Sequence, residues 1–122
     1  MKSRSLFDPK ILLHIEGAAV LLVALILYFW QGGYWWLLLL LILAPDVSML
    51  GYLAGNRVGA ICYNIVHAYV LPLALALYGA IAGVPLILWL ALIWFAHIGG
   101  DRALGYGLKY PTEFKDTHLQ RV

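Results

Sequence analysis

The chain has 122 residues, of which 64% are hydrophobic and 11% are charged, and its formal net charge at pH 7 is +2. Soluble domains have roughly half apolar and a quarter charged residues, and one this short could not hide so much apolar surface from water. The composition therefore excludes an ordinary soluble domain and predicts a protein whose main partner is the lipid bilayer, and no basic stripe suggests nucleic acid as a partner.

Four apolar stretches are each close to the ~20 residues that a helix needs to cross the hydrocarbon core. They are Ile11 to Trp30, Tyr34 to Leu53, Val58 to Tyr78 and Val84 to Leu104. Short turns that contain glycine separate them, so neighbouring helices should run antiparallel and both termini should lie on one side. The sequence thus predicts an all-α fold, a four-helix antiparallel transmembrane bundle with short loops over residues 1–109, followed by a C-terminal tail over residues 110–122.

Lysine and arginine predict the orientation of the bundle. They lie before the first span, between the second and third, and at or after the end of the fourth: Lys2, Arg4, Lys10, Arg57, Arg102, Lys109, Lys115 and Arg121. The other two loops contain neither residue type. Because basic loops face the cytoplasm, we predict a multi-pass protein of the inner (plasma) membrane with both termini and the tail in the cytoplasm.

Ionisable and polar side chains inside the spans are the candidates for a functional site, because leaving one unpaired in hydrocarbon costs several kcal/mol. Every span supplies at least one of them: Glu16, Asp46, Asn64, His67, His97 and Asp101. Counted from the cytoplasmic end of its span, each lies about four to ten residues in, or roughly 6 to 15 Å at the rise of an α-helix. The sequence therefore predicts one polar layer in the inner leaflet.

The spacing of these residues favours a shared site in the core of the bundle. His97 and Asp101 are four residues apart and Asn64 and His67 are three apart, so the members of each pair share a helix face. Carboxylates and imidazoles on facing helices are ligands that zinc, manganese and iron accept. We therefore predict a divalent metal site formed by Asp46, His67, His97 and Asp101.

Two prolines predict local distortion close to this layer. Pro45 directly precedes Asp46, and Pro72 follows His67 by five residues. Each proline removes one backbone hydrogen-bond donor from its helix. The second and third spans should therefore depart from regular helix near the polar layer.

Several stretches of the chain resemble the bacterial membrane family known as domain of unknown function 4260. They are residues 44–52, 63–72 and 97–110 and the segment from Phe114 to Leu119, and the resemblance covers nearly the whole chain. It implies the four-span architecture and no particular activity. A fainter similarity links the chain to predicted membrane-bound metal-dependent hydrolases, through Pro45-Asp46 and through His97, Asp101 and Gly105, whereas their His-Arg-Gly-x-Thr-His type of segment has no counterpart.

The favoured functional hypothesis is a metal-dependent hydrolase that acts on a lipid-like substrate. A bound metal would activate water, with Glu16 as the candidate catalytic base. Asn64, Arg102 and Lys109 are the candidate substrate-binding residues, with the two cations meeting an anionic headgroup.

The tail is expected to fold back beneath the bundle as a lid, from which His118 or Asp116 would reach the site. The alternative is a surface segment that lies along the headgroups and is held by Tyr110 and Phe114.

Other hypotheses remain open at this level. The same residues could form a non-catalytic polar network that locks the bundle, with Arg57 or Arg102 neutralising a carboxylate. A small ion or proton transporter is less favoured, because the outer half of the chain offers no ionisable residue for a pathway. A binding protein in which His67 and His97 ligate a haem is not favoured. The sequence is compatible with a homo-oligomer.

Overall fold

A computed structural model describes residues 8–108 of the chain. Its elements are α1 (Pro9–Trp30), α2 (Trp35–Leu41), a 3₁₀ helix (Ala44–Ala54), α3 (Asn56–His67), α4 (Val70–Ala82) and α5 (Pro85–Leu104). No strand occurs within this part of the chain. The predicted tail, residues 110–122, lies outside the described residues, and so does its proposed role as a lid.

The six elements make four spans that are long and apolar enough to cross a membrane. α1 and α5 each form one span, α2 continues into the 3₁₀ helix, and α3 continues into α4. This arrangement confirms the predicted all-α, four-span fold. Many large apolar side chains are exposed, among them Leu40 at 70% and Ile81 at 85%, as expected for surfaces that contact lipid rather than water.

α5 lies at the centre of the bundle and carries more buried residues than any other element. α1 packs along one side of α5 and α4 along another, while α3 packs against the 3₁₀ helix. Glycines allow the closest of these contacts: a Cβ atom on Gly99 would lie 2.7 Å from the backbone nitrogen of Leu21 and 2.8 Å from the carbonyl oxygen of Gly17. Small residues at membrane helix interfaces let two backbones approach in this way.

The second and third spans are irregular where the prolines predict distortion. The second span changes from α-helix to 3₁₀ helix at Ala44, one residue before Pro45. The third span is interrupted at Ala68 and Tyr69, between α3 and α4, and Ala68 is extended at φ −90° and ψ 155°. Both irregularities border the residues of the predicted polar layer, which confirms that expectation.

The orientation of the bundle stays a prediction, and the exposed loops provide its test. We expect a cysteine at Arg57, in a chain with Cys62 replaced by alanine, to react with a membrane-impermeant maleimide only from the cytoplasmic side, because basic loops are retained there. The matched cysteine at Gln31, which is exposed in the loop after α1, should react only from the opposite side. Labelling of the Arg57 cysteine from outside would reverse the orientation and the predicted leaflet of the polar layer.

Candidate metal centre

Four predicted metal ligands converge on one point in the bundle. Asp46 lies in the 3₁₀ helix, His67 is the last residue of α3, and α5 supplies His97 and Asp101. One ligand atom from each lies within 4.8 Å of the others. We call these four residues the Asp–His cluster.

The distances within the cluster fit a single small cation. The Nε2 atoms of His67 and His97 are 3.1 Å apart. Asp46 Oδ1 lies 3.2 Å from the first nitrogen and 3.0 Å from the second, and Asp101 Oδ2 lies 3.5 Å and 3.2 Å from them. Nitrogen and oxygen ligands placed tetrahedrally around zinc are about 3.3 to 3.6 Å from one another. Five of the six distances among the four atoms are therefore close to those of a filled coordination shell, and the sixth, between the two carboxylate oxygens, is within 4.8 Å.

Hydrogen bonds to the backbone fix the proton positions on both imidazoles. Nδ1 of His67 is 2.9 Å from the carbonyl oxygen of Tyr63, and Nδ1 of His97 is 2.6 Å from that of Ile42. A carbonyl oxygen only accepts, so each Nδ1 carries the donated proton, and each Nε2 of a neutral ring presents a lone pair. With both rings neutral, two lone pairs and two carboxylate oxygens thus face one another, and either a bound cation or a proton on one Nε2 would balance them.

The 3₁₀ geometry of the second span creates the acceptor for His97. In an α-helix, the N–H of Asp46 would bond to the carbonyl of Ile42. Here it donates to Leu43 instead, at 3.0 Å, because 3₁₀ bonds join residues three apart. The free carbonyl of Ile42 then accepts the Nδ1 proton of His97. Pro45, which lacks a donor in this turn, thereby contributes to the orientation of an imidazole on another helix.

α5 also satisfies the backbone carbonyls that the break in the third span leaves free. Trp94 Nε1 donates to the carbonyl of Val66 at 2.7 Å, and Arg102 Nη2 donates to that of His67 at 3.3 Å. A helix interrupted at membrane depth is tolerated only when neighbouring groups bond its free carbonyls in this way. These contacts hold the end of α3, and with it His67, against α5.

The cluster is buried on its histidine side and open on its carboxylate side. The side chains of His67 and His97 are each 2% exposed, whereas those of Asp46 and Asp101 are 34% and 21% exposed. The Tyr63 ring stacks on the His67 ring, with centroids 3.7 Å apart and an angle of 6° between the planes. Among residues 8–108, the approach to the centre therefore lies past the two carboxylates.

Glu16, the fifth residue of the predicted layer, does not join the cluster. Its side chain is exposed and lines a separate cavity with Tyr69 and Arg102. The reason is that α1 turns Gly17 toward α5, where a Cβ would overlap the backbone of Arg102 and Ala103, so the preceding residue points about 100° away.

The remaining candidate residues lie around the cluster or beyond the described part. Asn64 is half-buried on α3, and its backbone carbonyl accepts the N–H of Ala68. Arg57 is exposed on the first turn of α3. Within residues 8–108, neither Arg57 nor Arg102 forms an ion pair with a carboxylate of the cluster. Lys109 and His118 lie outside the described residues.

His14 on α1 is a further polar residue inside the spans that was not predicted to belong to the site. Its Nδ1 donates to the carbonyl of Ala103 at 3.0 Å, and its ring lies beside Gly105. Its position in the first span, two residues before Glu16, would have been enough to predict a role for it, because ionisable residues are rare inside membranes. This contact ties α1 to the end of α5 and does not involve the cluster.

A family model described as "Domain of unknown function (DUF4260)" matches residues 10–122. The match takes in all four spans and agrees with the resemblance found in the sequence. No curated protein and no solved structure matches the chain. The similarity to predicted membrane-bound metal-dependent hydrolases therefore stays a prediction.

Proposed function

The chain belongs to the DUF4260 family, and because the family description states no activity, we propose a function from the geometry alone: a membrane hydrolase that holds one divalent metal ion in the Asp–His cluster. The single observation that carries this proposal is the direction of the imidazole protons. Both Nδ1 protons are donated away from the centre to Tyr63 and Ile42. The two Nε2 atoms and the two carboxylate oxygens that face the centre are then all electron-pair donors. The five distances given above among them are 3.0 to 3.5 Å.

Zinc fits this donor set best. It accepts imidazole nitrogen and carboxylate oxygen at about 2.0 to 2.2 Å and prefers four ligands in a tetrahedron. Manganese and iron accept the same donors but favour more ligands. The bonds from His67 and His97 to backbone carbonyls are the outer contacts that commonly orient metal-binding imidazoles.

The open carboxylate side supports a catalytic rather than a purely structural site. A divalent ion held there would supply Lewis acidity and a water of lowered pKa. Asp101 is partly exposed and its Oδ2 lies farther from His67 Nε2 than Asp46 Oδ1 does, at 3.5 Å against 3.2 Å. Asp46, His67 and His97 would then hold the ion, which leaves the fourth position for water. Asp101 would accept a proton from that water, the role predicted from the sequence for Glu16.

The lipid bilayer is the proposed source of the substrate. The apolar surface of the bundle contacts lipid, and the exposed edges of Asp46 and Asp101 provide the entrance. An ester of a lipid could approach from the leaflet that contains the cluster and place its carbonyl beside the two carboxylates. Arg102, which bonds the carbonyl of His67, lies next in sequence to Asp101 and is the proposed contact for the phosphate oxygens of a headgroup.

A structural metal site is the second candidate, because four protein ligands can close a tetrahedral shell without leaving a position for water. In that case the ion would join the second, third and fourth spans, which carry the four ligands. Metal would then stabilise the bundle without supporting hydrolysis.

Elemental analysis of the protein, purified through an affinity tag that contains no histidine, tests the proposal. We expect about one zinc ion per chain, because the four donors form one site. Ester hydrolysis of lipid substrates in detergent micelles should disappear on treatment with a chelator and return with zinc. Metal that raises the unfolding temperature without supporting hydrolysis would establish the structural role instead. A folded protein that neither contains nor takes up zinc, manganese or iron would contradict both roles.

A further inference from the structure

A second cavity, separate from the centre of the cluster, contains two opposite charges. It has a volume of about 320 Å³ and lies between α1, the break in the third span and the end of α5. Glu16, Tyr69 and Arg102 are its polar residues, and the rest of its wall is apolar or small. We call it the headgroup cavity.

Arg102 is fixed in the wall of this cavity. One guanidinium nitrogen donates to the carbonyl of His67 at 3.3 Å, and the guanidinium carbon lies 5.1 Å from the centre of the Tyr69 ring, within the range of a cation–π contact. A guanidinium has five N–H donors, so several remain for a ligand. Phosphate oxygens are the acceptors that match this geometry best.

Glu16 supplies the complementary charge. Its side chain is exposed on the same cavity, and within residues 8–108 it forms no ion pair with Arg102. Two opposite charges that face one cavity without neutralising each other favour a ligand that carries both signs. Because the charges of Glu16 and Arg102 sum to zero, the cavity and a zwitterionic ligand together also carry no net charge.

An apolar groove continues from the headgroup cavity into the bundle surface. Ala19 and Val20 line both. The groove has a volume of about 540 Å³ and lies between α1, α4 and α5. From Ala19 to Leu27 it follows α1 for about 12 Å. Small residues on facing helices, such as Ala24 and Ala76, provide its width.

We infer that the headgroup cavity and the groove together bind one phospholipid with a phosphoethanolamine headgroup. The phosphate contacts Arg102, the ammonium group contacts Glu16, and one acyl chain occupies the groove. A choline headgroup has no N–H to donate and is recognised by open aromatic faces, whereas Arg102 lies over the Tyr69 ring. An anionic lipid without an ammonium group would leave the Glu16 carboxylate facing added negative charge.

This inference rests on the proposed function only where it identifies the bound phospholipid as the substrate of the hydrolase. Arg102 adjoins Asp101 and bonds the carbonyl of His67, so the occupied cavity brings the ester region of the lipid toward the cluster. Lipid binding itself requires only α1, Tyr69, Arg102 and the groove. A failure of metal binding and a failure of lipid binding are therefore separate results.

Titration of the delipidated full-length protein with lipids, followed by native mass spectrometry, tests the inference. With identical acyl chains, we expect phosphatidylethanolamine to bind about tenfold more tightly than phosphatidylcholine or phosphatidylglycerol, as expected for one charge-assisted contact. Glu16→Gln should remove that preference. Soluble glycerophosphoethanolamine, which lacks acyl chains, should bind at least about a hundredfold more weakly, because it cannot occupy the groove.

A matched pair of substitutions tests the groove. Ala19→Phe places a ring where cavity and groove meet and should weaken phosphatidylethanolamine binding about tenfold. Ala18 is the neighbouring residue and lines neither the cavity nor the groove, so the Ala18→Phe variant should bind phosphatidylethanolamine like the unaltered protein. Equal binding of the three lipids, a preference that survives Glu16→Gln, or equal effects of the two phenylalanines would overturn the inference. Metal content, measured on the same samples, reports separately on the Asp–His cluster.

Discussion

Replacing His97 by glutamine should remove the metal from the purified protein. Glutamine has a similar length and can still donate to the carbonyl of Ile42, but it offers no imidazole lone pair to the centre. Loss of a group that merely orients a ligand costs about 10- to 100-fold in metal affinity, so loss of the ligand itself should exceed about a hundredfold. Elemental analysis should then show well below one ion per chain.

His14→Gln is the matched control for this experiment. His14 is half-buried, and its Nδ1, like that of His97, donates to a backbone carbonyl, here that of Ala103, but it lies outside the Asp–His cluster. The control should therefore keep its metal. Full metal content in the His97 variant, or an equal loss in both well-folded variants, would refute the assignment of the ligands.

Replacing Gly99 by alanine should destabilise the bundle strongly for so small a change. The new Cβ would lie 2.7 Å from the nitrogen of Leu21 and 2.8 Å from the carbonyl oxygen of Gly17, and neither backbone atom can yield without separating α1 from α5. Overpacking of this kind costs about 1 to 3 kcal/mol, and a contact with backbone should lie at the upper end. Thermal unfolding in detergent measures the effect.

The adjacent glycine provides the control. A Cβ on Gly100 would meet only side-chain carbons of Leu21, at 3.9 and 4.0 Å. Gly100→Ala should therefore be neutral or stabilise the helix by up to about 1 kcal/mol, the difference in helix propensity. If the two alanines had the same effect, α1 and α5 would not pack as closely as described.

The sequence predicts the spans and most of the site because the bilayer imposes strong constraints. Length and hydropathy define the four spans, and Asp46, His67, His97 and Asp101 stand out because charged residues are rare in them. Their depth along the helix axis follows from counting residues. That information is sufficient to predict that they lie near one another.

The direction of a side chain around its helix cannot be predicted in the same way. Glu16 has the right depth, but the close contact of Gly17 with α5 rotates it toward another cavity. The 3₁₀ helix is also longer than the proline alone predicts, since such helices usually extend for only about three or four residues. Its packing against α3, where Gly51 approaches Cys62, depends on tertiary contacts that the local sequence does not reveal.

The interruption between α3 and α4 couples the Asp–His cluster to the shape of the third span. His67 ends α3, and its carbonyl is held by Arg102, while the neighbouring carbonyl of Val66 is held by Trp94. α5 therefore holds the point where the two halves of the third span meet, and α5 also supplies His97 and Asp101 of the cluster. Bending of the span at this point would displace the His67 ring from the other three residues of the Asp–His cluster, so it would also weaken the binding of any metal ion held there.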